Sequence, residues 1–472
     1  MVSNQEKVLM FKDCLHVFSV LVAACLLAGW AAAHPTRARD YGWYTEGDYV
    51  PEIRVRVTVS NPLGSGRKDC PVIIPRSIMP LASLEQTWIT VVDPNLPPRP
   101  RPTLDELRKI GSGAALEETN GHAIPYQLDD LDKDGVWDEL FFMTDFKPGE
   151  EKTIFLYLGP ENERGGIPHE THAGMGTYGR HLVPWWESKY MGWKLWYPNS
   201  IDLYGKREPM LVANLEGSGE ISGYTAPYEY GNDIMTVSDT FGAGGICLFE
   251  DPSAPDVLSR PRFNPDREKG PIYGARFSYD VVVNGPLRSI IRARTMNWRT
   301  GKGEYELEEL YTAYKNKSYS TCRVRYLRFL PEKLGVEFGC GIRKLMKEYG
   351  ALVDRGVVIS MAKDLAITDP DVNPAWETKI TVDFMGIALV VKDVYKPRYR
   401  FIEAYQGSHT MRLPLTEDLS YEYLIAAGWS DGTVNRTEAE FKEYVLQTRK
   451  EYNAPPAVKG LRLEKKTSSV SP

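Results

Sequence analysis

Between His181 and Arg207 four tryptophans and three tyrosines stand among Glu187, Lys189, Lys194, Asp202, Lys206 and Arg207. A core strand has no use for so many charges, and a solvated face has none for so many indoles. A sugar ring uses both: its C–H face stacks on aromatic rings, and its hydroxyl and carboxylate groups need polar partners. Trp186, Trp193 and Trp196 are therefore candidate stacking platforms. Glu187, Lys194, Asp202, Arg207 and Asp233 are candidate polar contacts. The rival reading is an aromatic core edge whose lysines snorkel to water.

Groups that could move protons lie nearby in the chain. Tyr224 to Asp233 gathers three tyrosines and two acids in one turn, and Tyr228 and Tyr230 could act as acid or base beside a cation. His409 follows Gly407 and Ser408 in a loop-like stretch and is the third candidate base. Lys206, Arg207 or Arg294 could neutralise a sugar carboxylate. Glu187, Asp202, Glu229 and Asp233 could instead supply the carboxylate pair of a hydrolase. His169 and His172 have the spacing of a metal turn but no third ligand, and they read as a solvated loop. Arg288, Arg292 and Arg294 alternate on one strand face, and Glu304, Glu306 and Glu308 on the next. That pattern is either a cross-strand charge ladder or a cationic face for an anion.

Asp130, Asp132, Asp134 and Asp138 alternate around Gly135. Hard oxygens at that spacing suit calcium as a structural ion. The rival is a turn whose aspartates accept backbone N–H groups. No cofactor is required by any motif present. Nucleophile elbows, zincin helices and dinucleotide fingerprints are missing.

The elements that must hold these residues are mostly strands. Ile53 to Ser60 alternates apolar and polar, and Pro71–Ile74, Trp88–Val92, Glu139–Thr144 and Thr153–Leu158 continue a small β-domain over 50–160. A short helix is expected from Thr103 to Glu106. Strand-like segments then recur over 165–435: Ile234–Val237, Gly245–Phe249, Ala275–Val283, Leu287–Met296, Tyr305–Tyr314, Thr321–Phe329, Ala388–Val394 and Tyr421–Ala426. The fold class is mainly β, a small N-terminal β-domain before a large antiparallel supersandwich. A C-terminal helix spans 436–453, with Thr437 and Glu440 as a capping box. The polar tail 454–472 is expected to add nothing to the fold.

The 472 residues carry a net charge of −6, which argues against nucleic acid as a partner. Lys7 and Lys12 before an apolar run and Ala31-Ala32-Ala33 suggest an export signal over 1–33. A periplasmic or secreted protein without stable membrane insertion follows. Of the cysteines beyond the signal, Cys322 and Cys340 are the first choice for a disulfide, and free buried thiols are the alternative.

The blocks Trp186-Glu-Ser, Gly192-Trp-Lys, Ile201-Asp-Leu-Tyr-Gly-Lys206, Asp233-Ile-Met-Thr-Val-Ser, Gly242-Ala-Gly-Gly245, Gly285-Pro-Leu-Arg288 and Ala427-Gly-Trp-Ser430 together resemble a secreted bacterial family of unknown function. That family is similar to oligosaccharide dehydratases of ulvan breakdown. The resemblance implies a galactose-mutarotase-like supersandwich, an architecture shared with polysaccharide lyases. It also implies β-elimination, as dehydratase or lyase, on uronic-acid oligosaccharides. Where the resemblance implies a histidine, this chain has Tyr228-Glu229-Tyr230. Hydrolysis by paired carboxylates and glycan binding without turnover stay open beside it.

Overall fold

The computed structural model of the protein describes residues 42–43, 52–80, 88–96, 123–159, 168–178, 181–197, 200–212, 229–237, 240–261, 275–363, 382–404 and 406–466. The export signal expected over 1–33, the short helix expected at Thr103–Glu106 and Tyr228 lie outside them, as do the side chains of His181 and Trp196. Among the described residues no helix is long and apolar enough to cross a membrane.

The first β-domain is a sandwich of two small sheets. β1 (Ile53–Ser60), β3 (Trp88–Val92) and β6 (Glu151–Gly159) join β24 (Ala457–Lys465) in the order β24-β1-β6-β3. β2 (Arg67–Pro75), β4 (Tyr126–Asp129) and β5 (Glu139–Phe146) form the facing sheet. The alternation of β1 does its expected work: Val55, Val57 and Val59 are fully buried against Ile154, Leu156, Val72 and Phe142. The expectation for the tail is overturned. Its residues 457–465 pair antiparallel with β1, and Val458, Leu461 and Leu463 cover that core. A register shift opposite Thr58 and Val59 breaks the apolar alternation at Gly460, which conceals the strand from a period-two reading.

The second sandwich has two layers. One is an eight-stranded antiparallel sheet in the order β13-β14-β15-β16-β23-β20-β19-β18. Its strands are β13 (Arg276–Asn284), β14 (Arg288–Arg299), β15 (Gly303–Tyr314), β16 (Tyr319–Pro331), β18 (Glu348–Asp354), β19 (Val357–Ala362), β20 (Met385–Val391) and β23 (Ser420–Trp429). The opposite layer is made of two sheets. β7 (Thr171–Tyr178), β8 (His181–Ser188), β9 (Met191–Tyr197), β10 (Ser200–Lys206) and β11 (Gly231–Asp233) run in the order β11-β10-β9-β8-β7. β12 (Gly245–Phe249), β17 (Glu337–Arg343), β22 (Ser408–Leu413) and β21 (Arg398–Ile402) run in that order beside them.

The two smaller sheets meet where Gly242 bridges to Ile201. Gly242 has φ +60°, and a Cβ there would run into the Ile201 carbonyl, so only glycine closes the junction. All three sheets feed one core, with Trp186, Trp193 and Leu203 facing Tyr311, Val324 and Ile425. The strand expected over Ile234–Val237 is displaced to Gly231–Asp233. Ile234, Met235 and Val237 are buried in this core without joining the ladder, because burial makes any short apolar run look like a strand.

α1 (Glu438–Asn453) begins as expected. Thr437 accepts the Glu440 N–H at 3.2 Å, and the Glu440 carboxylate accepts the Arg436 N–H at 2.8 Å. Phe441 and Val445 pack on the outer face of the eight-stranded sheet, over the notches left by Gly386 and Gly428. The cysteines Cys70, Cys247, Cys322 and Cys340 are free and buried. Cys322 and Cys340 lie in opposite layers, so the expected pairing is replaced by inert thiols whose ionisation burial suppresses.

Candidate functional site

The segment His181–Lys206 folds into three adjacent strands, β8, β9 and β10. Alternation then sorts its side chains onto two faces. Trp186, Trp193, Ile201 and Leu203 point into the sandwich. Trp185, Glu187, Lys194, Asp202, Tyr204 and Lys206 take the opposite face, the outer side of the five-stranded sheet. Cross-strand pairing sets them in two rows. One runs His172, Glu187, Gly192, Tyr204, Asp233 from β7 to β11. The other runs Gly174, Trp185, Lys194, Asp202. At about 4.8 Å per strand the first row spans roughly 19 Å, the reach of several linked sugar rings.

Two ionic groups divide this face. In the first, Lys206 spends its ammonium on the Glu187 carboxylate, the Ser188 carbonyl at 2.5 Å and the Met210 carbonyl at 2.9 Å. Three donors meet three acceptors, so nothing is left for a substrate. Lys206 as a carboxylate-neutralising group is thereby corrected: it is a closed structural pair. Gly192 lets the pair reach across β9, since a Cβ there would lie 3.2 Å from that of Tyr204. His172 Nδ1 lies 3.7 Å from the other Glu187 oxygen. Burial holds its pKa below the ordinary imidazole range, against the pull of Glu187.

The second group shares its charges differently. Lys194 Nζ sits 3.2 Å from Asp202 and 4.0 Å from Asp233. One ammonium thus serves two carboxyls. Asp202 also accepts the Leu203 N–H at 2.9 Å, and Asp233 the Met235 N–H at 3.1 Å. Burial, then the charge of Asp202, raises the Asp233 pKa well above the carboxylate range; burial raises Asp202 as well, against Lys194. Two carboxyls that share one ammonium do not both ionise cheaply, and burial together with the Asp202 charge shifts Asp233 toward its protonated form. Beyond Asp202 stands Arg343 from β17. Its guanidinium is buried, pulled toward Asp202 electrostatically, and lowered to a pKa of about 10 by desolvation. Among the described residues its Nη1 has no hydrogen-bond partner, nor has the Oγ of its cross-strand neighbour Ser408. Buried donors in that state are positions where water or a ligand atom belongs.

Five residues expected from the sequence, Glu187, Lys194, Asp202, Lys206 and Asp233, therefore share one face. Others do not join them. Trp186 and Trp193 are fully buried, and Trp186 stacks on Tyr311 at 4.8 Å with its indole N–H on Ser320 at 2.8 Å. Neither indole has a free face for a sugar, so the core-edge reading holds for both. Arg207 lies over Trp429 at 5.1 Å and 3.6 Å from Asp431. Tyr230 packs beside Trp185 and Tyr204. Arg294 is half exposed and bonded to Glu308 at 3.0 Å, a ladder contact far from a neutralising site. His409 has both ring nitrogens engaged, Nδ1 with Tyr399 and Nε2 with Glu348, each at 2.9 Å. It clips the two layers together at their edge and has no nitrogen free to act as a base.

Asp130, Asp132 and Asp138 each offer an oxygen within 4.8 Å of the others, and Asp134 is not part of the group. The same carboxylates accept the backbone N–H groups of Leu131, Lys133, Asp134 and Gly135, as the turn reading requires. These three carboxylates are the group here that could hold a metal ion.

His172, Tyr204, Trp185 and Arg343 were not foreseen as parts of this face. Counting parity along β8 to β10 separates Trp185 from Trp186 and aligns Tyr204 with Asp202. His172 becomes visible only once β7 pairs with β8. Arg343 carries no local signal, because a junction between two sheets brings it in from 141 positions away (343 against 202).

No curated protein matches this chain. Among solved structures it is similar to an alpha-mannosidase from Enterococcus faecalis V583, at 9% identity and a TM-score of 0.43, over 89% of this chain and 46% of that one. It is also similar to a glycosyl hydrolase family 38 protein from Enterococcus faecalis, at 8% identity and a TM-score of 0.43, over 88% and 47%. The chain spans about half the length of these proteins. The profile described as a domain of unknown function, DUF4861, matches residues 59–458, from the first sandwich through α1 into the final strand, and the chain belongs to that family.

Proposed function

We propose that this protein is an exported carbohydrate-active enzyme whose acid–base pair is Asp202 and Asp233 on the outer face of the five-stranded sheet. The observation that carries the reading is the single Lys194 ammonium between two buried carboxyls of raised proton affinity. One carboxyl holds a proton for the leaving oxygen, and the other is ready to take one. In hydrolysis Asp233 protonates the glycosidic oxygen while Asp202 draws a proton from the attacking water.

Arg343 favours β-elimination as the second reading. Its open Nη1 would bind a uronate carboxylate and make the C5 proton acidic. A carboxylate then takes that proton, the C4–O bond breaks, and Asp233 protonates the departing oxygen. The ladder residue Arg294 has no part in either scheme. Incubation of an oligouronide and a neutral oligosaccharide mixture, read by mass spectrometry, separates the readings. Products that have gained water support hydrolysis. Loss of water, or cleavage that leaves an ultraviolet-absorbing double bond, supports elimination. No change in either mixture with folded protein removes both and leaves glycan binding.

A structural calcium on Asp130, Asp132 and Asp138 is proposed alongside, away from the reacting groups. Millimolar calcium should raise the melting temperature, and Asp132→Asn should abolish the rise. An identical melting curve with calcium and with chelator would leave the turn reading alone.

A further inference from the structure

A second ligand-sized space lies on the opposite layer. The outer face of the eight-stranded sheet, α1 and the first sandwich enclose a cavity of about 340 Å³, within the size range of small-molecule sites. Its floor is three cross-strand rows: Arg288, Tyr314 and Tyr319; then Ile290, Thr312, Thr321 and Leu424; then Leu310, Arg323 and Glu422. The innermost row is closed by ionic contacts. Arg288 lies between Asp129 at 2.5 Å and Glu139 at 2.6 Å, and over Phe141 at 4.4 Å. The middle of the floor presents hydroxyls beside aliphatic groups, with Tyr314 bonded to Thr321 at 2.9 Å. At the mouth Lys392 is 3.1 Å from Glu422 and 4.6 Å from the ring of Tyr452. Arg323, on the same row, is exposed and makes no ion pair with a described residue.

This composition differs from that of the first site. There the charges are buried and paired with one another. Here Arg288 closes one end in a buried ion pair, rings and hydroxyls form the rest of the wall, and at the rim Arg323, which pairs with no described residue, stands beside the Lys392–Glu422 pair. A pyranose matches the wall through its C–H face and hydroxyls, and an exocyclic carboxylate matches the rim.

We infer that this crevice is a second, non-catalytic saccharide site that binds one or two sugar units carrying a carboxylate, with Arg323 as the anion contact. The inference does not depend on the chemistry proposed for Asp202 and Asp233.

The test is isothermal titration of the full protein with glucuronate, glucose and acetate in turn. Glucuronate should bind, with glucose and acetate each at least tenfold weaker, because neither offers both ring and charge. Arg323→Ala should weaken glucuronate about tenfold and Arg323→Glu should remove it. Both changes are at an exposed position and should leave the melting temperature in place. Asp233→Asn should leave this affinity unchanged while it removes turnover, which separates the two sites. Failure of glucuronate to bind overturns the inference. So does an affinity indifferent to Arg323, one lost instead through Asp233→Asn, or one matched by acetate alone.

Discussion

The two layers of the large sandwich both carry cations and carboxylates on their outer faces, and away from Arg288 and Arg292 the cations of the eight-stranded ladder stay partly in water. On the eight-stranded sheet Arg292 and Arg294 meet Glu308 at 3.2 and 3.0 Å, and Arg328 meets Glu304 at 2.7 Å. Arg294, Arg328 and Glu304 there keep roughly half of their surface in water. On the five-stranded sheet Lys206, Glu187, Lys194 and Asp202 are almost wholly removed from it. Exposed pairs are screened and worth little. Buried ones carry a desolvation penalty that only their partners offset, and their protonation becomes adjustable. Charge on a strand thus says nothing about chemistry until burial is known, and substitutions on the two faces should differ in kind.

The largest effect is expected at Asp233. Asp233→Asn should lower turnover on whichever saccharide is processed by about 10²- to 10⁴-fold, the range for loss of a positioned acid. The wild-type rate should fall as pH rises through the raised pKa of Asp233, since the working form is the protonated one. A pH–rate profile and initial rates check both. A variant within threefold of wild type would move the chemistry elsewhere and reduce this face to structure.

Lys206 comes next. Lys206→Met leaves Glu187 charged, buried and without its ammonium, and should cost about 3–5 kcal/mol in urea unfolding. Adding Glu187→Gln removes the orphaned charge and should restore much of that loss. A single-variant cost below about 1 kcal/mol would show that water reaches Glu187, and the contrast between the faces would weaken.

The fold was largely readable because alternation is a local signal. Val55, Val57 and Val59 announce a half-buried strand, and Thr437 with Glu440 announces a helix start. The site was readable only in residue type. The stretch from Trp185 to Lys206 reveals that aromatics and charges coexist. Which of them share a face depends on strand parity and on turns that shift it. Trp186 and Trp185 are neighbours in sequence and stand on opposite sides of one sheet, so the indole chosen as a platform is the one sealed in the core. β24 was missed for a related reason: a bulge interrupts the period that would have marked it. Arg343 joins Asp202 through Gly242, a contact between sheets that no short window of sequence contains.

Glu309 offers a third environment that sharpens the comparison. It sits on β15 within the apolar interior, with its carboxyl held by the Tyr311 hydroxyl at 2.7 Å and no ion pair to a cation among the described residues. Burial pushes its pKa up from 4.5 to about 7. The folded state therefore holds this proton more tightly than the unfolded chain. The stability it contributes is full below about pH 4.5 and is lost as pH rises through about 7. The change amounts to roughly 3 kcal/mol. Glu309→Gln should flatten the fall in unfolding free energy between pH 5 and pH 8, measured in ~one-unit steps by urea titration. An unchanged slope would mean that Glu309 is already ionised and hydrated in the folded protein.

The smallest effect is expected from Arg294, one of the three cations whose sequence setting suggested a carboxylate partner. Arg294 shares Glu308 with Arg292, so Arg294→Ala leaves the carboxylate one cation still 3.2 Å away. Its own guanidinium is half in water, and the pair it forms is screened. The expected change in unfolding free energy is within about 0.5 kcal/mol and should shrink further in molar salt. Turnover should not change at all, because Arg294 lies on the layer opposite Asp202 and Asp233. Loss of turnover in a fully folded Arg294→Ala protein would reverse the assignment of the two faces. The ladder would then be the anion-binding surface, and the buried cluster would be a structural device that holds β8 to β11 in register.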